Sequence, residues 1–305
     1  MSNRFVRDVA ASVRQRLQNL ARQRSEQFQS TMMQYGLERL LYRLSQSEWR
    51  ATFLLKGAML FALWRATVWR TTRDLDLLGL GDSSVFEMER VFRGICTLDV
   101  VDDGLHFQRD SVHGEEIREQ TAYGGVRVTL TAMLGNARLP LQIDIGFGDV
   151  VTPKPEFVAY PTLLDFPAPE LKVYPFYTVI AEKFEAMAQL GMLNSRMKDV
   201  YDLWIMARTL HMQGRILRAA IAATFTRRTT AIPKTAPAVF SDDFARDKAL
   251  QWQAFLRRNR LDADAATLAA VMAFLKRFLM PVAHAINRND AFDKVWLKAG
   301  PWRQV

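Results

Sequence analysis

The chain reads as an α+β protein: a mixed-sheet α/β core preceded by N-terminal helices and followed by a C-terminal helical half. Three observations predict this. Apolar residues recur at helical spacing before residue 45, alternate with a period of two in the 126–145 region, and return to helical spacing from Phe176 onward. Within residues 3–30, Phe5, Val6, Val9, Val13, Leu17 and Leu20 share a helical spacing. Leu40, Leu41 and Leu44 line one side of a second short helix over 37–44. Residues 52–55 form a short apolar run ending at Lys56-Gly57, the pattern of a buried strand and a tight turn. A helix is expected over 59–66 and a strand over 74–78.

In residues 126–133, Val126, Val128, Leu130 and Ala132 fall on one face, and Arg127, Thr129 and Thr131 on the other. In residues 139–145, Leu141, Ile143 and Ile145 point inward, Gln142 and Asp144 outward. Gly135-Asn136 between them is turn chemistry, so the two runs should form an antiparallel hairpin. The proline-dotted stretch 153–175 reads as loop with one short strand. Helices are then expected over 176–190, 196–212, 214–225, 242–259, 264–279 and 288–298, with a loop over 229–241 around Pro233 and Pro237. The expected division is a helical segment 1–46, an α/β core 47–175 and a helical domain 176–305.

With 305 residues, 49% hydrophobic and 24% charged, the composition excludes a disordered chain. No window approaches 18 uncharged apolar residues, and the start MSNRFVRDVAASVRQR lacks the apolar region of a secretory signal. A single cysteine, Cys96, excludes an internal disulfide framework. His106, His113, His211 and His284 have no metal-ligand spacing. A cytoplasmic protein with no membrane partner is expected. The net charge of +9 favours a polyanionic partner. Residues 1–50 hold nine arginines against four acids, and residues 205–260 hold eleven basic residues against three acids. A solvated arginine-rich face accounts for either flank taken alone.

The sharpest local signal is Thr72-Arg73-Asp74-Leu75-Asp76-Leu77. On a strand, Asp74 and Asp76 share a face with Cα atoms roughly 6.5 to 7 Å apart. Two such carboxylates need a compensating cation or full solvation. Mg²⁺ (or Mn²⁺) suits an all-oxygen site of a few carboxylates plus phosphate. Asp144 offers a third acid from another strand, and three converging acids can hold metal ions for in-line nucleotidyl transfer. A solvated strand face explains the two-acid pattern alone equally well. Weight comes from Phe53-Leu54-Leu55-Lys56-Gly57-Ala58, a strand and glycine turn whose backbone N–H groups can grip triphosphate oxygens.

Two further features sit in the helical half. Lys183 lies beside Ile180, Ala181, Phe184 and Met187, either snorkelling at a helix edge or reaching toward a phosphate. Asp199 and Asp202 share a helix face, while Lys198 and Asp202 have the spacing of a surface pair. Trp204, Trp252, Phe255 and Trp302 read as core. Arg227, Arg228, Arg257, Arg258 and Arg260 fit either phosphate contacts or a solvated face.

Together these residues resemble a polymerase-beta-type nucleotidyltransferase and, more closely, the AbiEii/AbiGii toxin family of type IV toxin–antitoxin and abortive-infection systems. The resemblance spans residues 47–210. It is carried by Leu55-Lys56-Gly57, by Arg70-Thr71-Thr72-Arg73-Asp74-Leu75-Asp76, and by Ala181-Glu182-Lys183 with the run from Asn194 to Trp204. It implies that Asp74, Asp76 and Asp144 hold Mg²⁺ or Mn²⁺. Lys56, Gly57, Ala58, Thr72, Lys183, Lys198 and Asp202 would face the NTP, with Lys183 and Asp199 joining the catalytic set. It also implies a nucleotide transferred to RNA, at the 3′ end of tRNA, and a winged-helix antitoxin as partner. In some members of the family the hydroxyl at the Thr72 position is phosphorylated by the antitoxin. Two alternatives stay open, a protein hydroxyl as acceptor and an inactive scaffold that binds nucleic acid or antitoxin. The chain departs from the family at Ala58-Met59, where a second glycine followed by Thr or Ser is usual, and in a slightly longer gap from Gly57 to Asp74.

Overall fold

The computed structural model describes residues 8–64, 72, 74–117, 124–261 and 266–305. Phe5 and Val6 of the first predicted helix, Arg70, Thr71 and Arg73 of the acidic motif, and parts of the predicted helices 59–66 and 264–279 lie outside the described residues. The chain separates into two compact units. The first comprises the described residues within Met1–Leu63, Thr71–Gly148 and Glu156–Val173; the second comprises those within Trp64–Arg70, Asp149–Pro155 and Tyr174–Val305.

In the first unit the helix expected over 3–30 ends earlier, as α1 (Val9–Gln23), and the second helix, expected over 37–44, starts earlier, as α2 (Phe28–Gln46). Asp8 caps α1, its carboxylate accepting the Ala11 N–H at 2.9 Å. The break follows Gln23: Ser25 sits at φ 54°, and the Glu26 N–H turns back to the Ala21 carbonyl. Apolar spacing alone does not register that reversal. α2 is therefore longer than expected, and it buries Leu37, Leu40, Leu41 and Leu44.

A seven-stranded mixed sheet carries the unit. Its strands are β1 (Phe53–Lys56), β2 (Asp74–Gly79), β3 (Leu105–Ile117), β4 (Gly125–Leu134), β5 (Ala137–Phe147), β6 (Glu156–Ala159) and β7 (Glu170–Val173), in the order β3-β4-β5-β2-β1-β7-β6. β2 runs parallel to β5 and β1 parallel to β7; the other pairs are antiparallel. The expected β4–β5 hairpin is present, with Leu134 opposite Ala137 and Gly135 at φ 56° in its two-residue turn. Val126, Val128, Leu130, Ala132, Leu141, Ile143 and Ile145 are all buried. Truncating one of the larger of them to alanine would cost about 2–5 kcal/mol.

Several expectations are corrected. The helix expected from residue 59 is a 3₁₀ turn, Gly57–Ala62. The stretch 153–175 holds two short strands, β6 and β7. A further helix, α3 (Val85–Cys96), and the long strand β3 were not expected. The signal for α3 was present: Ser84 caps it by accepting the Glu87 N–H, and Met88, Val91, Phe92 and Ile95 are buried at helical spacing. β3 is masked by a register shift between Gln108 and His113, which breaks its alternation.

α2 also holds a buried charge cluster. Arg39 Nε lies 2.9 Å from Asp103 Oδ2, Arg43 Nη1 lies 2.6 Å from the same oxygen, and the Tyr35 hydroxyl donates to the Asp103 carbonyl at 2.8 Å. Asp103 is fully buried, so these contacts fasten the segment before β3 to α2. Removing one partner of such a pair costs about 3–5 kcal/mol.

The second unit contains α4 (Phe176–Leu190), α5 (Met197–Thr209), α6 (Gly214–Arg227), α7 (Asp242–Asp247), α8 (Ala249–Asn259) and α9 (Leu268–Asn287). The helix expected over 242–259 is divided at Lys248, whose backbone (φ −98°, ψ 3°) leaves helical values. The helix expected over 288–298 is instead a strand. β8 (Met212–Gln213), β9 (Lys294–Trp296) and β10 (Trp302–Gln304) form a small antiparallel sheet. Aromatic packing decides this. Trp296 Nε1 donates to the Ala207 carbonyl at 2.6 Å and Trp302 Nε1 to the Phe278 carbonyl at 2.8 Å, with both rings against Phe278. Trp204 and Trp252 are core residues as expected, while Phe255 and Trp302 are half-buried. Among the described residues α9 is long and apolar enough to cross a membrane by length and composition, its run interrupted by Lys276 and Arg277. Half of it is buried, and it packs against α5, α6 and α7.

Candidate active site

β2 and β5 lie side by side in register, Asp76 opposite Asp144 and Asp74 opposite Gln142. Strand pleating sends Leu75, Leu77, Ile143 and Ile145 into the core and turns Asp74, Asp76 and Asp144 to the other face, where all three are half-buried. One carboxylate oxygen from each lies within 4.8 Å of the others. The expected trio therefore converges. Among the described residues it is the group of acids, histidines or cysteines with metal-binding spacing, and no histidine joins it.

The glycine turn sits directly on this group. Gly57 leaves β1 at φ 74°, and a Cβ at that position would fall 1.9 Å from Asp76 Oδ2. The Asp76 carboxylate occupies the space a side chain would take, so glycine is required both for the turn and for the close approach. Lys56 stands opposite Asp76 in the β1–β2 register. Ala58 is buried in the 3₁₀ turn that follows. The Thr72 hydroxyl donates to Asp74 Oδ1 at 2.6 Å and fixes that carboxylate from the chain preceding β2.

A residue the sequence reading left without a role completes the group. Arg127 on β4 faces Asp144 across the hairpin. Its Nε lies 2.8 Å from Oδ1 and its Nη2 2.9 Å from Oδ2, a two-pronged pair. Gln142 Nε2 is 3.2 Å from both oxygens. Hydrogen bonding to Asp144 pushes the Arg127 guanidinium above its ordinary range. On its far side, Arg127 Nη1 is 3.9 Å from Glu115 Oε1 on β3. The registers thus align one row across five strands: Glu115, Arg127, Asp144, Asp76 and Lys56. With Asp74 included, four carboxylates face two cations, leaving two negative charges in excess. An all-oxygen donor set with that excess fits a hard divalent cation.

The remaining predicted residues lie in the second unit. Lys183 of α4 donates to Asp199 Oδ1 at 2.6 Å and to Asp202 Oδ2 at 3.0 Å, both on α5. Arg196 Nε lies 2.5 Å from Asp199 Oδ2. Both acids are buried, and Lys183 is drawn inward between them rather than snorkelling. Burial opposes ionisation of Asp199, but the charges of Lys183 and Arg196 outweigh it and hold the carboxyl at about 2. The surface pair expected of Lys198 and Asp202 is replaced: Lys198 is exposed and Asp202 engages Lys183. Arg228, one of the candidate phosphate contacts, is bound within its own unit to Glu185 at 2.9 Å and Asp149 at 3.3 Å. Arg257, Arg258 and Arg260 are exposed.

A mixed sheet that gathers three carboxylates beside a glycine turn belongs to an enzyme of phosphoryl or nucleotidyl transfer. The chain is a member of the AbiEii family: residues 39–277 match the family described as "Nucleotidyl transferase AbiEii toxin, Type IV TA system". It is a nucleotidyltransferase toxin, and its family context implies an antitoxin partner and a nucleic-acid substrate. No curated protein gives a significant match. Among solved structures, JHP933 from Helicobacter pylori is similar at 13% identity, covering 83% of this chain and 92% of that one, with a TM-score of 0.44. A second Helicobacter pylori structure shares 13% identity over 84% of this chain and 96% of its own, again with a TM-score of 0.44. At that level neither likeness bears on activity.

Proposed function

We propose that the protein transfers a nucleoside monophosphate from an NTP to an RNA hydroxyl, at the 3′ end of tRNA, and so blocks translation. The convergence of Asp74, Asp76 and Asp144 within 4.8 Å, beside Gly57, supports this reading most directly. The acceptor hydroxyl oxygen attacks the α-phosphorus, the bond to the β-phosphate oxygen breaks, pyrophosphate leaves, and the hydroxyl proton passes to a carboxylate of the trio. Mg²⁺ or Mn²⁺, when bound by these three acids, would neutralise phosphate charge and lower the pKa of the attacking hydroxyl. The chain's own groups supply the rest. The Lys56-Gly57-Ala58 turn presents backbone N–H groups to the triphosphate, and the departure at Ala58 leaves those backbone donors in place. Thr72 keeps Asp74 aimed. Lys183, fixed by Asp199 and Asp202, carries positive charge for phosphate, with Lys198 as an exposed second cation. In this reading residues 47–175 form the nucleotidyltransferase core, and residues 1–46 and 176–305 flank it. The basic stretches 1–50 and 205–260 favour an RNA acceptor, since neutralising phosphates gives sequence-independent affinity. The partner is taken to be a winged-helix antitoxin.

Incubation with radiolabelled NTPs and total tRNA tests the assignment. Label should enter tRNA with the intact protein and be lost with Asp76→Ala. Label on a protein instead would move the acceptor to a Ser, Thr or Tyr hydroxyl. Growth arrest by Asp76→Ala equal to that of the intact protein would leave an inactive scaffold as the explanation.

A further inference from the structure

We infer that Arg127 is a movable counter-ion of the acidic site, holding Asp144 in the absence of a divalent cation and transferring to Glu115 when one binds. The inference rests on the metal-binding reading of Asp74, Asp76 and Asp144 given above.

Both oxygens of Asp144 accept from the Arg127 fork, at 2.8 and 2.9 Å. A cation ligated by Asp144 needs one of those lone pairs, and it would place two positive charges beside a guanidinium that cannot lose its proton. With the two Gln142 contacts counted, four donor contacts already meet the roughly four lone-pair sites of Asp144. A cation therefore competes for the carboxylate and repels the guanidinium, and it is the charged arginine that gives way. The next strand provides for that. Glu115 is opposite Arg127 in the β3–β4 register, its Oε1 is already 3.9 Å from Nη1, and its side chain is 57% exposed. Among the described residues Arg127 is its one ion-pair partner. Cross-strand neighbours stand about 4.5–5.5 Å apart, so a side-chain rotation spans the transfer without backbone movement. Asp144 is not left loose by the exchange, because Gln142 Nε2 lies 3.2 Å from both of its oxygens. Arg127 is thus a positioning residue. It keeps three like charges together in the metal-free protein and sets how tightly the cation is held.

The test is Mn²⁺ affinity of the full-length chain, read from the electron paramagnetic resonance signal of free Mn²⁺ at fixed ionic strength. Arg127→Met should bind Mn²⁺ about tenfold more tightly, because a competing cation is gone. Arg127→Lys, a point charge without the fork, should fall between that variant and the parent. Glu115→Gln should bind several-fold more weakly, having lost the arginine's second station. In Arg127→Met/Glu115→Gln, the Glu115 change should alter affinity less than about twofold, since its effect runs through Arg127. Affinity unchanged or weakened in both Arg127 variants would overturn the inference, as would a Glu115 effect that persists undiminished in the double variant. An intact protein that binds no Mn²⁺, or whose binding survives Asp76→Asn, would overturn the metal reading itself and is a separate result.

Discussion

The two carboxylate clusters of this protein use the same residue types to opposite ends. In the second unit, Asp199 and Asp202 are buried and meet Lys183 and Arg196, so their formal charges cancel. On the sheet face of the first unit, Asp74, Asp76 and Asp144 are half-buried and outnumber their cations. A buried, balanced cluster loses stability when any member is removed, because the remaining charge cannot reach water. An accessible, unbalanced cluster tolerates removal of a charge and invites a cation from solution. Burial and charge balance, rather than residue identity, separate acids that hold a lysine in place from acids open to an exchangeable cation.

Substitutions can break that contrast. The largest effect is expected at Asp76→Ala: nucleotidyl transfer should fall about 10⁴-fold, equivalent to about 5.5 kcal/mol. Its thermal melt in EDTA should match or exceed that of the parent, because one of three repelling charges is gone. Asp199→Ala should differ in losing stability as well as activity, costing about 3–5 kcal/mol in urea unfolding by stranding Lys183. If the two variants showed the same balance of lost activity and lost stability, the contrast would fail.

Gly57→Ala comes next. A side chain at φ 74° costs about 1–3 kcal/mol, and its Cβ would push Asp76 from its place. Transfer by the folded protein should therefore drop by about 10²-fold, equivalent to about 2.7 kcal/mol, in addition to that stability loss, in parallel activity and melting measurements. A pH titration sharpens the comparison further. The Asp199 carboxyl is lowered from 3.8 to about 2, so its ionisation stabilises the fold fully above pH 3.8 and ceases to do so as pH falls through 2. The deficit of Asp199→Asn relative to the parent should shrink over that window by an amount on the order of 2 kcal/mol. The smallest effect is expected at exposed Lys198. Lys198→Ala should leave stability within about 0.5 kcal/mol, with any functional loss appearing as a raised KM for NTP rather than a lower kcat.

Legibility in the sequence followed the range of the interactions involved. β4 and β5 alternate strictly and are joined by Gly135-Asn136, so their pairing could be read directly. The convergence of Asp74 and Asp76 with Asp144 was expected from parity on their strands, and the structure places them together. β9 and β10 were misread because three-residue strands carry no period, and their conformation depends on Trp296 and Trp302 packing against distant Phe278. The inward turn of Lys183 likewise depends on α5 lying against α4. Arg127 is a different kind of miss. It was assigned to the outward face of β4, and a two-residue turn pairs positions equidistant from it, which places Arg127 opposite Asp144. The turn length and the strand parity together therefore specify the partner of the acid.

That two-residue turn acts as a ruler. A slip of one position along the β4–β5 ribbon would put Asp144 and Arg127 on opposite faces, since every residue of the slipped strand changes sides together. A substitution along this ribbon leaves its register intact, whereas one residue added at its tip does not. The number of residues between Arg127 and Asp144 is therefore a fixed dimension of the site in its own right.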